Sequence, residues 1–296
     1  YKRQVMADLV AAAIDQKKHA IIEAGTGTGK SLAYLIPAVL AATADQAHQE
    51  ENQPEQQQQT GHEDQKSEKT NEKRPRRIVI ATHTIALQEQ LVKKDIPVVS
   101  AVMPHEFSAV LVKGRGNYIS LRRMELAKER EGSLFQYDEE VAELDGLLEW
   151  SGNTRDGSLA DLPTIPRSSV WDEVHSDSGN CMGRTCPRYN DCHYFAARRR
   201  MNNAQVLVVN HALFFSDLAL RRSGVSLLPE YDIVILDEAH MVESVASDHL
   251  GVGLSSIAAE RLLSRLYNER TNRGLLVHYK LDDLRPDVIQ ARRIAE

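Results

Sequence analysis

Short apolar runs recur along the chain, and stretches with helical character separate them. Three runs are continuous and rich in β-branched residues, at positions 78–81, 206–209 and 233–236. Strands that are buried on both faces of a parallel sheet have this composition. Two further strand candidates lie at 20–24 and 110–112. Because helical stretches lie between these strands, the pattern predicts a doubly wound α/β fold with a parallel sheet and a long inserted module.

Helix-forming stretches follow several of the predicted strands. Residues 31–42 are apolar and predict a helix that Pro37 kinks or briefly breaks. Residues 85–92 and 257–266 predict two more helices. Between about 45 and 77 the chain is polar and holds seven glutamines, from Gln49 to Gln65. Such a tract buries too little surface to offset its ordering entropy, so we expect a disordered insertion in a surface loop, with partner binding as the alternative.

A glycine-rich segment connects the predicted strand 20–24 to the following helix. Its pattern, Ala24-x4-Gly29-Lys30-Ser31, is that of a phosphate-binding loop with alanine at the first position. Glycines let backbone N–H groups converge on phosphate oxygens, and the helix N-terminus favours negative charge. We therefore expect the loop to bind ATP through Ala24, Gly25, Thr26, Gly27, Thr28, Gly29, Lys30 and Ser31. A dinucleotide-binding loop would require G-x-G-x-x-G spacing, which the alternating glycines lack.

Two adjacent acids, Asp237 and Glu238, follow the predicted strand 233–236. A carboxylate at the end of a strand beside a phosphate-binding loop is placed to hold Mg²⁺, and a second one can orient the attacking water. We expect Ser31 and Asp237 to bind Mg²⁺, with Lys30 and Glu238 acting on the phosphate and the water. Together the two motifs indicate an ATPase of the helicase kind.

The sequence Asp237-Glu238-Ala239-His240 resembles superfamily 2 helicases of the DEAH-box kind. Four further segments are similar to the XPD-like iron–sulfur helicases, and to their bacterial DinG-type branch in particular. They are Arg3-Gln4, Thr82-His83-Thr84-x3-Gln88, Lys113-Gly114-Arg115-x-Asn117-Tyr118 and Val209-Asn210-His211-Ala212-Leu213. The resemblance implies that Gln4 reads adenine, that His240 couples the ATP and DNA sites, and that movement on DNA runs 5′→3′.

Three cysteines form a compact cluster, Cys181-x4-Cys186-x5-Cys192. Thiolates at such spacing bind zinc or an iron–sulfur cluster. The resemblance implies a [4Fe–4S] cluster, yet Ser120 stands where the family places its first cysteine ligand. The alternatives are a serine ligand, a weakened or lost cluster, a three-iron cluster, or a zinc site completed by His175 or His193.

The formal net charge of −6 does not exclude nucleic acid. Residues 129–177 alone carry a net charge of −10, so the rest of the chain is mildly basic. From the resemblance we expect DNA contacts at Thr82, His83, Gln88, Arg115, Tyr118 and Arg198. The expected substrates are single-stranded DNA and forked or RNA–DNA duplexes.

No apolar run is long enough to predict a membrane span, and no signal peptide pattern follows the N-terminus. Three cysteines exclude a disulfide-rich secreted scaffold. We expect a cytoplasmic monomer that is a fragment of a longer protein.

We expect helicase domain 1 at 1–108, with a disordered insertion at 45–77, and again at 205–248. An iron–sulfur-type module is expected at 109–204 and the start of a helical arch at 249–296. The predicted function is an ATP-dependent DNA helicase motor. The alternatives are a non-enzymatic nucleotide- and DNA-binding fragment and a phosphate-loop ATPase with a structural zinc module.

Overall fold

A computed structural model describes residues 2–25, 27–51, 76–135, 137–251 and 255–295. The strands are β1 (Ile78–Thr82), β2 (Ala109–Leu111), β3 (Val206–Asn210) and β4 (Ile233–Leu236). The α-helices are α1 (Lys2–Asp15), α2 (Lys30–Glu51), α3 (Ile85–Gln90), α4 (Ile96–Ser100), α5 (Leu121–Glu129), α6 (Glu131–Leu134), α7 (Asp138–Asn153), α8 (Ser168–Val174), α9 (His193–Asn203), α10 (His211–Arg221), α11 (Val242–Leu250), α12 (Ser256–Leu266), α13 (Leu275–His278) and α14 (Arg285–Ala295). A π-helical turn, Leu91–Asp95, joins α3 to α4.

The four strands form one parallel sheet in the order β2-β3-β1-β4. Every residue of β1 is buried, as are the first four of β3, which explains the continuous apolar sequences of these central strands. Helix α2 packs its apolar face on this sheet through residues such as Leu35 and Val39, both fully buried. The α/β fold with a parallel sheet is therefore confirmed.

Two strand expectations differ from the structure. Residues 18–25 form no regular element, and Ile21 is fully exposed, so the strand predicted at 20–24 is wrong. The segment pairs with none of the described strands. An apolar sequence forms a strand only where it can hydrogen-bond to a neighbouring strand. Strand β4 pairs only with β1 among the described strands, which leaves Val234 38% exposed rather than buried.

Helix α2 corrects two predictions about the region that follows the glycine loop. It runs continuously through Pro37, so the predicted break is wrong. It also extends to Glu51, so the expected disordered tract does not begin at 45. The remainder of that tract, 52–75, lies outside the described residues.

After this tract, the Arg77 guanidinium donates hydrogen bonds to the backbone oxygens of Ala204, Glu230 and Asn202, which anchors the start of β1.

The segment between β2 and β3 is mainly helical and has its own core. Helices α5, α7 and α8 pack together around buried residues that include Ile119, Leu144 and Trp171. Lys113, which follows β2, forms an ion pair with Asp156 inside the insertion at 2.9 Å. Asp156 also pairs with Arg200 on α9, which leads back to β3. Both ends of the insertion are therefore tied to one carboxylate.

Residue contacts divide the chain into two units, 1–245 and 246–296. The second unit contains α12, α13 and α14 around a small core of Tyr267, Leu276 and Val288. Among the described helices of both units, none combines the length and the apolar character that crossing a bilayer requires.

Candidate functional site

The glycine loop and the acidic pair meet beside the first turn of α2. The Lys30 ammonium lies 3.4 Å from the Glu238 carboxylate, and both side chains are about a quarter exposed. This ion pair joins two residues that are 208 positions apart. The structure therefore brings together the two motifs that the sequence places far apart.

The conformation of the loop depends on glycine at two positions. Gly27 and Gly29 both have φ of +76°, a region that side chains rarely adopt. A Cβ atom on Gly29 would lie 2.5 Å from the Arg3 guanidinium, which donates a hydrogen bond to the carbonyl of Thr28. Thr28 in turn donates to the carbonyl of Gly25. Of the remaining loop residues, Thr26 lies outside the described part of the chain.

Asp237 is positioned by the sheet and by a residue of α2 that the sequence analysis missed. Its backbone N–H donates to Ala81 at 2.8 Å, and the Tyr34 hydroxyl donates to its carboxylate at 3.2 Å. Burial and the neighbouring charge of Glu238 raise the pKa of Asp237, while Tyr34 and Lys30 oppose the rise. Tyr34 follows Lys30 by four residues, so the helical period could have placed it on the same face.

Glu238 has a left-handed backbone conformation, with φ of 52° and ψ of 47°. This conformation is uncommon for a residue with a side chain and concentrates at functional sites. The turn allows the Glu238 carboxylate to reach Lys30 while its other oxygen lies 3.5 Å from His240. His240 itself is largely exposed. Gln4, the expected adenine contact, is an exposed residue of α1, next to the Arg3 that contacts the loop.

All three cysteines line one pocket in the inserted segment, together with Ser120. The Ser120 hydroxyl accepts a hydrogen bond from the backbone of Arg123 and caps α5. Among the described residues, no group of three or more His, Cys, Asp or Glu side chains is arranged to hold a single metal ion. His175 and His193 are not among the residues that line this pocket.

One thiol of this pocket is electrostatically distinct. Cys181 accepts a hydrogen bond from the backbone N–H of Gly183. Although burial acts in the opposite direction, this contact and the nearby Arg115 guanidinium lower the pKa of the Cys181 thiol. Arg115 lies 4.0 Å from the ring centre of Tyr194 and donates to the carbonyl of Asp177. Arg115 is therefore held near Cys181 by Tyr194 and Asp177.

Five of the six expected DNA contacts are buried or half-buried. Thr82, Gln88 and Tyr118 are buried, since they belong to the sheet or pack beneath it and the insertion. Arg115 is engaged as described, and Arg198 donates to the carbonyl of Leu227. All six DNA contacts stay predictions, and His83 is the exposed residue among them.

Two of the arginines that the sequence clusters at the end of the insertion offer a cationic surface. Arg184 and Arg199 are exposed and form no hydrogen bond or ion pair with the described residues. By contrast, Arg188 pairs with Glu125, and Arg200 pairs with Asp156. Sequence clusters such as Arg198-Arg199-Arg200 do not reveal which member is free, because pairing depends on residues far along the chain.

Comparisons with known proteins place the chain among helicase relatives. The family model DEAD_2 matches residues 180–258. The chain is 34% identical over 253 residues to the ATP-dependent DNA helicase YoaA of Escherichia coli (strain K12), a match that covers 85% of this chain and 34% of the relative. It is 31% identical to the ATP-dependent helicase DinG of Mycobacterium tuberculosis (strain ATCC 25618 / H37Rv), over 92% of this chain and 39% of the relative. These matches confirm the resemblance to DinG-type helicases.

The chain spans about a third of the length of the curated relatives that it matches. Among solved structures, a truncated XPD aligns with 95% of this chain and 64% of its own length, at 15% identity and a TM-score of 0.40.

Proposed function

We propose that this chain is the nucleotide-binding part of an ATP-dependent DNA helicase motor. The observation that carries the proposal is the meeting of Lys30 and Glu238 at 3.4 Å, with Asp237 beside them. A cation, two carboxylates and a glycine loop at a helix N-terminus form the donor set that ATP hydrolysis requires. YoaA and DinG are named ATP-dependent helicases, which supports the same conclusion.

The residues present suit a Mg²⁺ ion bound with the nucleotide. The Ser31 hydroxyl and the Asp237 carboxylate are hard oxygen donors, and both interact with Tyr34. When bound, Mg²⁺ neutralises charge on the phosphates and orients them. Asp237 is half-buried, so its charge is screened less by water than that of a surface carboxylate.

The Lys30–Glu238 ion pair suggests how the site is prepared for hydrolysis. Phosphate oxygens attract Lys30 away from Glu238, which leaves that carboxylate able to accept a proton. The oxygen of a water then attacks the γ-phosphorus, the bond to the ADP oxygen breaks, and the water proton passes to Glu238. We propose that these changes drive 5′→3′ movement on single-stranded DNA and unwinding of forked or RNA–DNA duplexes, with His240 and the residues near it coupling the two sites.

The test is nucleotide binding and DNA-stimulated phosphate release by this chain. Lys30→Ala should weaken ATP binding at least tenfold and abolish any phosphate release, because the charge that holds the phosphates is lost. Lys93→Ala is the matched control, since Lys93 is exposed and paired with Glu89. Equal ATP binding by wild type and Lys30→Ala would overturn the proposal. Binding without phosphate release would support the alternative of a non-enzymatic nucleotide- and DNA-binding fragment.

We further propose that the thiol pocket holds an iron–sulfur cluster. Three thiols spread around one pocket suit a cluster, whose ligands bind separate irons, better than a single zinc ion, whose ligands must converge within about 2.3 Å. With Ser120 at the fourth position, three thiolates hold the cluster less firmly than four. A [4Fe–4S] cluster remains the proposal, and zinc is the alternative.

Ser120→Cys tests the cluster proposal directly. In anaerobically purified protein, the fourth thiolate should raise the iron content and the visible absorbance. Ser120→Ala is the matched control for the loss of the α5 cap and should not raise either. Colourless protein with stoichiometric zinc in both the wild type and Ser120→Cys would contradict the cluster.

The domain organisation follows from the same proposal. Residues 1–108 and 205–248 form the first helicase domain, 109–204 form the inserted cluster module, and 249–296 begin a helical arch. We propose a monomer that acts in the cytoplasm.

A further inference from the structure

The backbone carbonyl of Ala81, next to the end of β1, accepts two hydrogen bonds. One comes from the backbone N–H of Asp237 at 2.8 Å and continues the pairing of β1 with β4. The other involves Nε2 of His211, the first residue of α10, at 3.1 Å. A single carbonyl thus connects the candidate Mg²⁺ ligand to a histidine that has no role in the proposed hydrolysis.

His211 is held in one chemical form by its surroundings. It is 1% exposed, and burial lowers its pKa although the backbones of Ala81 and Asp237 oppose this effect. A carbonyl only accepts hydrogen bonds, so Nε2 of the neutral ring must carry the proton. Nδ1 is then a bare acceptor, and it has no partner within the described residues. A buried imidazole with one fixed bond is a rigid link.

His211 also lies beside the segment expected to contact DNA. Its ring centre lies 6.1 Å from that of His83, which is exposed and only two residues beyond Ala81. Thr82, between them, is fully buried. Displacement of Asp237 by bound nucleotide would therefore act on Ala81, and through His211 on the exposed His83.

We propose that His211 is a positioning residue that couples nucleotide binding at Asp237 to DNA binding at His83. This inference rests on the proposed function, and it adds a buried side chain on α10 to the coupling that the proposed function gives to His240. Coupling of this kind is measured as the ratio of DNA dissociation constants without and with nucleotide, and it commonly amounts to about 5–150-fold.

The test measures that ratio by fluorescence anisotropy of a labelled oligothymidylate, with and without Mg²⁺ and a non-hydrolysable ATP analogue. In His211→Leu the ratio should fall at least threefold toward one, because leucine cannot donate to Ala81. In His211→Gln the ratio should return toward the wild-type value, since the glutamine amide can place a donor near the position of Nε2. Phe214→Leu is the control for stability, because it loosens the packing of α10 at another buried ring.

Each outcome has one meaning. A ratio in His211→Leu equal to that of the wild type overturns the inference, and so does a ratio of one in wild-type protein that binds both ligands. Loss of coupling in Phe214→Leu as well would assign the effect to stability and overturn the positioning role. Failure of the wild type to bind the nucleotide analogue would instead overturn the proposed function itself.

Discussion

The hydroxyl of Tyr34 donates a 3.2 Å hydrogen bond to the carboxylate of Asp237. Tyr34 is buried on α2, one turn beyond Lys30, so the helix that begins with the candidate phosphate-binding lysine also orients the candidate Mg²⁺ ligand. The bond favours the ionised carboxylate against the burial that raises its pKa.

Tyr34→Phe removes this bond while keeping the ring. We expect Mg²⁺-dependent nucleotide binding to weaken several-fold and the free energy of unfolding to fall by about 1–2 kcal/mol, because a bond to a charged group is lost. A Mg²⁺ titration and urea denaturation measure the two effects. Tyr137→Phe, at an exposed tyrosine, should change neither. Unchanged Mg²⁺ dependence in Tyr34→Phe would show that Tyr34 does not orient Asp237.

The raised pKa of Asp237 predicts how the free energy of unfolding depends on pH. Because its pKa is raised in the folded protein, ionised Asp237 is less stable there than in the unfolded chain. At neutral pH the ionised Asp237 therefore lowers the free energy of unfolding. This effect disappears as the pH falls from the pKa of Asp237 in the folded protein to its pKa in the unfolded chain. Nucleotide binding with Mg²⁺ should weaken over the same range, since only the carboxylate binds the ion.

Asp237→Asn separates these two effects. At neutral pH the variant should be more stable than wild type by about 0.5–2 kcal/mol, because a half-buried negative charge beside Glu238 is removed from a functional site. The gain should vanish near pH 3, and phosphate release should be lost at every pH. Asp248→Asn, at an exposed carboxylate, is the control. A variant that is less stable than wild type at neutral pH would contradict the sign.

Asp217 is a structural carboxylate with no place in the proposed chemistry. It is fully buried and accepts hydrogen bonds from the backbones of Leu227 and Leu228 and from Arg221 at 2.6 Å. Asp217→Ala should lower the free energy of unfolding by about 2–4 kcal/mol, because it leaves the backbone N–H groups of Leu227 and Leu228 without their acceptor. Arg221 keeps its ion pair with Glu230 at 2.9 Å. Urea denaturation measures the loss. Asp191→Ala, in an exposed ion pair, should cost less than about 1 kcal/mol.

Substitution of Arg199 tests whether the exposed arginines of the insertion bind single-stranded DNA. Arg199→Ala should weaken binding of single-stranded DNA and reduce the salt dependence of binding by about one counterion. Arg188→Ala is the matched control, because that guanidinium already pairs with Glu125. Binding measured at several salt concentrations distinguishes the two. An equal loss in both variants would show that the ion pair does not remove Arg188 from the DNA surface.

The sequence by itself predicted the parallel sheet, since the apolar β-branched runs of β1 and β3 match strands that are buried on both faces. It also identified Lys30 and Glu238, because phosphate chemistry needs these residue types after a strand or a glycine loop. Local pattern carries this information, as each motif is short and contiguous.

Only the tertiary structure decided which of the candidate side chains are exposed and which are buried or held by other residues. Thr82 and Tyr118 are buried, and Arg115 and Arg198 are engaged with partners that lie 29 to 79 residues away along the chain. Tyr34 and His211 reach Asp237 and Ala81 because α2 and α10 pack against the same sheet. The segment 20–24 has an apolar sequence suited to a strand but no partner among the described strands. Burial and pairing depend on distant residues, and no local pattern encodes them.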